Sequence, residues 1–523
     1  MNNRGRTLAL ASVILMVSFV GSRATGLLRE IVISSQFGTS GDYAAYLAAM
    51  RIPDFVFQVM AGGAVGAAFI PVFTEYIARG QEEEGWRVVS TIFNLAVILM
   101  SPVVVLLMLA APQVVAFLAP DFPPHLLQLS AGIAHILLVL PLFFTIGVLS
   151  TSVLQSFNKF LLPSLAPLLY NLGLICGAAF LGGTWGIYGL ALGAAAGAAM
   201  FLLVHVPGLV RQGIRYRPVL DLRHPGVREV GRLMLPRTIG LGVYQLNFVI
   251  VLYLASATPE RVPALNYAWQ LTMLPLGVFA MAIATAVFPT LAEQSALRQL
   301  DELKRTVAAA LRLILFLILP ASVGLIVLQE PIVRLLFQRA AFTSESTTAT
   351  AFALQFYAVG LVGLAGVEIT TRAFYAIHDT RTPVVVATLA MLLHLALSVL
   401  LIRTPLGYGG LALSMSLSSI FEAASLVALA QRRLGGLGGR RIASSVARSC
   451  VASLAMGGAV LLAAEPLHPL LAAPTDWERF VGVVAAVAVG AVTYLAAALA
   501  LRSPELSVLG GVLRQRVRGT ASG

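Results

Sequence analysis

The sequence predicts an all-α polytopic membrane protein with about 14 transmembrane helices, arranged as two parallel six-helix lobes plus two C-terminal helices. Three observations predict it. Of the 523 residues, 58% are hydrophobic and 11% charged, and the mean hydropathy is +0.89, well above what a water-soluble core of this size requires. Apolar stretches long enough to span a bilayer, at roughly 20 residues each, follow one another along the whole chain with short polar breaks between them. Finally, segments of the first half recur in the second at a near-constant offset. No alternating-period segments of the membrane-barrel kind compete with this reading.

The first helix is expected at 7–34. Its start, MNNRGRTLALASVILMV, has the charged head and apolar run of a signal peptide, but no small-residue cleavage site follows and Arg23 sits where one would be, so it is read as a spanning helix. Helix two, 44–78, carries Arg51, Pro53 and Asp54 and then the run AGGAVGAA (61–68), whose small residues let another backbone come close. Helices three to six fall at 88–116, 126–155, 160–182 and 186–210. The longest polar, basic stretch, 211–232, comes next. Helix seven (228–257) has Pro236 and Arg237 near its start, and helices eight to twelve are expected at 264–295, 306–328, 350–377, 382–402 and 407–431. Helices thirteen and fourteen, 442–464 and 480–501, complete the set.

The recurrence is specific. AFIPVFTEYIARGQ (68–81) matches AVFPTLAEQSALRQ (286–299) at an offset of 218, with a Glu four residues after the proline in each. GIYGLALGAA (186–195) matches GYGGLALSMS (407–416) at 221, and Pro163 and Pro383 head the preceding helices at 220. Six helices per copy put both copies in one orientation, so the repeats are parallel, related by an axis along the membrane normal. The expected divisions are an N-lobe at 1–222, a C-lobe at 223–435, and helices thirteen and fourteen with a basic tail at 436–523. Proteins of this two-lobed kind commonly hold substrate at the lobe interface and work by rocking.

The formal net charge of +12 does not indicate nucleic acid. Most Lys and Arg residues lie at the termini and in the even-numbered connections, which is the positive-inside pattern. Both termini and the clusters at 211–232, 431–441 and 514–518 are therefore expected in the cytoplasm, near anionic lipid. The two cysteines, Cys176 and Cys450, lie in apolar helices and offer no disulfide frame. No phosphate-cradling glycine loop, nucleophile elbow or His/Glu zinc pattern is present. The expectation is a transporter, not an enzyme, without metal or cofactor.

Charges within the apolar segments mark the candidate site. A Lys, Arg or Asp at the bilayer centre costs roughly 2.5–3.5 kcal/mol on insertion scales, so these side chains should line water or pair. In helix one, Arg23 and Glu30 are seven apart and share a face with Gly26, whereas Arg29 is turned away from that stripe. Ser22, Thr25 and Gly26 make this a place to bend or unwind. In helix ten, Glu368 and Arg372 are four apart in the favourable order for an intrahelical pair.

Taken together, SRATGLLRE with QFGTSGDYAAYLAAMRIPD, AFIPVF, LNYAWQLTMLPLGVFAMAIATAVFPTLAEQ and RAFYAIHDTRTP resemble the MurJ (MviN) family in order and spacing, over helices one to twelve. The resemblance implies a flippase of the multidrug/oligosaccharidyl-lipid/polysaccharide exporter superfamily. Such a protein moves lipid II, the undecaprenyl-pyrophosphate-linked peptidoglycan precursor, from the inner to the outer leaflet by alternating access. It implies substrate contacts from Ser22, Arg23, Arg29, Glu30 and Asp42, with Arg51 and Arg237 as further cations; Trp269, which suits stacking on a sugar face, and Gln270 beside it are candidates on their own chemistry, and Asp379 and Glu368 are weaker candidates for ion coupling with a monovalent cation. Lipid II and membrane lipids are the implied partners, and a bacterial cytoplasmic membrane the location. The sequence departs from the family pattern in helix two, at Phe57, Gln58 and Ala61 to Gly63, where relatives carry an arginine pair. It departs again at Trp269 and Gln270 of helix eight and at Val251 of helix seven. A second reading, export of another polyprenyl-linked oligosaccharide, follows from those departures, and a multidrug antiporter is a third.

Overall fold

The computed structural model describes residues 21–60 and 64–506. Within these residues the chain is helical throughout, and eleven helices are long and apolar enough to cross a membrane. In chain order the helices are α1 (21–37), α2 (Gly41–Met60), α3 (Ala64–Ala78), α4 (Glu82–Leu109), α5 (Pro124–Ser156), α6 (Leu161–Trp185) and α7 (Ile187–Arg211). They continue with α8 (Pro225–Ala255), α9 (Arg261–Ala296), α10 (Leu300–Val327), α11 (Ser344–Ala376), α12 (Arg381–Leu401), α13 (Tyr408–Leu434), α14 (Gly439–Leu471) and α15 (Asp476–Ala500). The eleven are α4 to α7 and α9 to α15, and each overlaps a span expected from hydropathy. The other three expected spans correspond to α1, to α2 with α3, and to α8. The expected helix-one residues 7–20 and part of the small-residue run in helix two lie outside the described residues.

The residues pack as two compact units. One runs to Pro263 and takes in Arg339–Thr343; the other holds Ala264–Gln338 and the chain from Ser344 onward. The packing boundary thus follows α8, whereas the expected lobe boundary, 222/223, marks where the sequence repeat begins. Backbone geometry supports the repeat itself. Residues with left-handed φ recur as Gly80 and Arg298, Asn158 and His378, and Gly186 and Gly407. Their offsets, 218, 220 and 221, are those of the sequence matches. Both copies therefore bend in the left-handed region at the same places, even where the residue is not glycine.

In the first unit a core of Phe69, Phe73, Trp86, Leu149 and Val153 joins α3, α4 and α5. The ring of Phe73 meets Trp86 and Phe157 edge-on at 5.5 and 5.7 Å. α6 and α7 approach backbone to backbone through two glycine pairs. A Cβ added to Gly173 would lie 2.4 Å from Gly197 Cα, and one on Gly193 would lie 2.5 Å from Gly177 Cα, so only residues without side chains fit there. The repeat-related pair in the second unit, α12 and α13, shares one such approach, Gly410 against the Leu401 backbone, and is otherwise joined differently. There Ser398, Ser414 and His394 form a buried hydrogen-bonded cluster, with Ser414 Oγ 2.7 Å from Ser398 Oγ and 3.1 Å from His394 Nδ1.

The basic stretch at 211–232 is held by ion pairs and hydrogen bonds. It lies along α4, held by Arg217 to Glu83 at 2.8 Å, Arg87 to Asp221 at 3.1 Å and His224 to Glu84 at 3.1 Å. Asn94 Nδ2 donates to Val219 O at 2.8 Å. The acidic start of α4, Glu82 to Glu84, is both the favourable charge for a helix N-terminus and the counter-charge for this segment.

Candidate functional site

The polar cluster of the first unit is built where α1 meets α6. α1 is an unbroken α-helix over 21–37, so the expected unwinding at Ser22 to Gly26 does not occur among the described residues. The reason is local: Thr25 Oγ1 donates back to Gly21 O at 2.9 Å and to Ser22 O at 3.1 Å, which keeps its hydroxyl satisfied inside the helix.

Arg29 is the hub. Neighbours one apart on a helix do not face each other, but the pairing of Arg29 with Glu30 that the sequence leaves open does form. The long guanidinium stem crosses that angle. Arg29 Nη2 and Nε donate to Glu30 Oε1 at 2.5 and 3.1 Å, and Nη1 donates to Asn171 Oδ1 of α6 at 3.0 Å. Asn171 in turn donates from Nδ2 to Thr25 Oγ1 at 3.2 Å and to Ser22 O at 3.4 Å. Glu30 and Asn171 are buried, at 5% and 6% exposed, while the Arg29 side chain keeps 20% of its surface. The result is an arginine fixed in orientation from two helices, with three of its five N–H groups engaged.

Sequence reasoning missed Asn171. A lone Asn in the apolar run LLPSLAPLLYNLGLIC is the signal that could have found it, because polar residues in spanning helices commonly bond across to a neighbour.

The other expected residues sit as follows. Arg23 is exposed on α1. Arg51 of α2 lies over the Phe248 ring of α8, 4.9 Å from its centroid, a cation–π contact. Asp42 is exposed in the first turn of α2, where Ser40 Oγ accepts from Tyr43 N at 3.3 Å. Gly38, in the QFGTSGD motif, has φ +54°, and a Cβ there would lie 2.3 Å from Ala341 O. Ala341 N donates to Ser35 O at 3.0 Å, so the strip 339–343 docks against the end of α1 only because residue 38 is glycine. Arg237 lies in α8, but its side chain is outside the described residues.

The remaining expected residues belong to the second unit. Trp269 of α9 packs edge-on to Tyr357 of α11 at 5.3 Å, with Gln270 beside it, half-buried. Glu368 and Arg372 form the expected intrahelical pair, which Arg372 Nη1 strengthens by donating to Glu368 O at 2.8 Å. Asp379 caps the start of α12: its carboxylate accepts from Thr382 Oγ1 at 2.6 Å, Thr382 N at 3.0 Å and Arg381 N at 3.2 Å, and pairs with Arg433 at 2.5 Å. Burial raises its pKa, but these hydrogen bonds and the Arg433 charge outweigh that and hold the carboxyl below its ordinary value. Both residues proposed for ion coupling are thus engaged by arginines.

The chain is similar to known proteins over most of its length. The family model described as lipid II flippase MurJ matches residues 33–473. A probable lipid II flippase MurJ of Haemophilus influenzae is 30% identical over 460 residues, covering 84% of this chain and 89% of that protein. The solved structure "Lipid II flippase MurJ, inward closed conformation" superposes with a TM-score of 0.79 at 24% identity, over 94% of this chain and 99% of the other. An inward-facing multidrug resistance MATE family transporter of the MOP superfamily gives 0.67 at 19% identity, over 82% and 98%. The last two likenesses bear on the fold.

Proposed function

Because this chain belongs to the lipid II flippase MurJ family, we infer that it translocates lipid II across a bacterial membrane for peptidoglycan synthesis. The observation that carries the inference is the family match over 33–473, which spans every helix from α2 to α14. The chain is a multi-pass membrane protein, and its family is one of transporters.

The finer reading is that transport runs from the cytoplasmic to the outer leaflet by alternating access, with both termini in the cytoplasm. The Arg29 cluster supports a role in meeting the pyrophosphate. A guanidinium offers a planar fork matched to phosphate oxygens, and here Glu30 and Asn171 orient the fork while leaving two N–H groups for a ligand. Arg23 exposed on the same helix supplies a second cation, and Arg51, Ser22, Asp42 and Arg237 complete the proposed contacts in the first unit. Trp269 and Gln270 are proposed to contact the sugar headgroup. Each charge moved through 100 mV is worth ~2.3 kcal/mol. An inside-negative potential therefore favours export of a doubly charged headgroup by on the order of 4–5 kcal/mol. A monovalent cation through Asp379 or Glu368 is the alternative drive.

The departures at Phe57, Gln58, Trp269 and Gln270 favour one second reading, a different polyprenyl-linked oligosaccharide as cargo. Direct binding of defined lipid-linked sugars to the purified protein separates the two. Preference for the peptidoglycan precursor supports the first reading, and preference for another sugar overturns it.

A further inference from the structure

We propose that the second unit carries a binding site for a phosphate-bearing anion, in the first place an anionic phospholipid headgroup, at the shared end of α14 and α15. A cavity of about 770 Å3 opens there, lined by Arg312 of α10, by Arg440, Arg441, Ser444 and Arg448 of α14, and by the Gly438–Gly439 turn. That volume is in the range of sites for small organic ligands.

The chemistry of the lining selects the ligand. Four arginines line one space, and like charges so gathered repel unless an anion joins them. Among the described residues, the ion pairs of this unit use other arginines: Arg305, Arg334, Arg372, Arg433 and Arg479. The nearby carboxylate, Glu505, is 4% exposed and accepts from Ser445 Oγ at 2.7 Å. Two of the four arginines are aimed by main-chain oxygens instead: Arg448 Nη1 donates to Arg502 O at 3.3 Å and Arg312 Nε to Ala308 O at 3.2 Å. Each keeps N–H groups and full charge for a ligand.

The backbone adds to the field. α14 is 33 residues long and starts after Gly438, with no side chain capping it. Gly438 and Gly439 line the cavity, so the positive end of the helix dipole lies beside it, and a Cβ on Gly438 would meet nothing within 4 Å. Such a start is a ready anion site, here reinforced by four cations, of which Arg312 and Arg448 are held in place.

The level in the membrane favours a lipid source. α14 and α15 are both spanning helices, and the Arg448 to Arg502 contact brings the start of one beside the end of the other. From Gly439 to Arg448 the helix rises about 13 Å, so the arginines extend from the end of the span inward, across the depth at which lipid phosphates lie. Arginine clusters at this place fit anionic headgroups.

The test uses the full chain, purified in non-ionic detergent, stripped of lipid, and followed by thermal unfolding during titration with phosphatidylglycerol, phosphatidylcholine and inorganic phosphate. Phosphatidylglycerol is expected to raise the unfolding temperature saturably, and phosphatidylcholine to do so weakly. Arg440→Gln/Arg441→Gln/Arg448→Gln is expected to shift half-saturation at least tenfold. If the triple variant does not fold, Arg448→Gln alone must still weaken the response severalfold, with Arg448→Lys intermediate. A rise with phosphatidylglycerol alone assigns the site to a lipid headgroup; an equal rise with inorganic phosphate supports the anion site but overturns the lipid source. No response in the native chain, or the same half-saturation in native and variant, overturns the site.

Discussion

Arg29 shows how one side chain turns a membrane-costly charge into a usable one. Held by Glu30 and Asn171, it is neutralised enough to be buried and oriented enough to be specific. Charge-assisted hydrogen bonds of this type contribute about 1.5–3 kcal/mol each. Arg29→Lys keeps the charge but loses the fork, and flipping is expected to fall at least about tenfold, the factor of ~1.4 kcal/mol in a barrier. Asn171→Ala, which frees one edge of the guanidinium, is expected to cut flipping in the same direction with less effect on folding than Glu30→Ala, which breaks a buried pair at about 3–5 kcal/mol. Flipping assays with membrane abundance measured alongside check both. Asp379 makes a separate prediction about pH. Its folded pKa lies below its ordinary value, so its contribution to stability is present above that ordinary value and is lost as pH falls through the folded one. Asp379→Asn keeps an acceptor oxygen for the backbone of α12 but loses the charge that pairs with the half-exposed Arg433, so it should lower stability at neutral pH by about 0.2–1 kcal/mol, read as a lower unfolding temperature, and the gap from the native chain should close in acid. The sequence made Arg29, Glu30 and the Glu368 and Arg372 pair legible, because charge inside an apolar run is conspicuous. It hid Asn171, 142 residues from Arg29, because a partner on another helix leaves no mark in the run around Arg29.

Helices were legible for the opposite reason: apolar length is a local property, and the eleven long spans fall where hydropathy puts them. Helix pairing is non-local, and its signals are quieter. The glycines of α6 and α7 are scattered among many others, and only the packed structure shows Gly173 and Gly177 against Gly197 and Gly193. Gly193→Ala is expected to destabilise the first unit by about 1–3 kcal/mol, as overpacking does, because the obstructing atoms are backbone. Gly183→Ala, where a Cβ meets nothing within 4 Å, is the matched control and should leave the unfolding temperature unchanged. Comparable losses in both variants would contradict the close-packing account. The repeat was legible from three short matches and is supported by the left-handed residues at the same offsets. Gly189 and Gly410 make the same close approach in both copies; what the repeat did not foretell is that further glycine contacts join the pair in one copy and His394, Ser398 and Ser414 join it in the other.

At the scale of the whole molecule, the account rests on family membership and on a cationic site with fewer arginines than the family pattern leads one to expect. Because the proposed cargo is anionic, collapsing the membrane potential should lower lipid II exposure in cells that depend on this chain; exposure that persists unchanged would remove potential as the drive. The most direct measurement is outer-leaflet lipid II in a bacterium whose own flippase is switched off and whose membrane contains this chain at a level verified by blotting. The account predicts that the native chain restores exposure and that Arg29→Ala, at equal abundance, does not. Well-expressed native protein that leaves lipid II inside, or an Arg29→Ala variant that restores exposure as well as the native chain does, would contradict it.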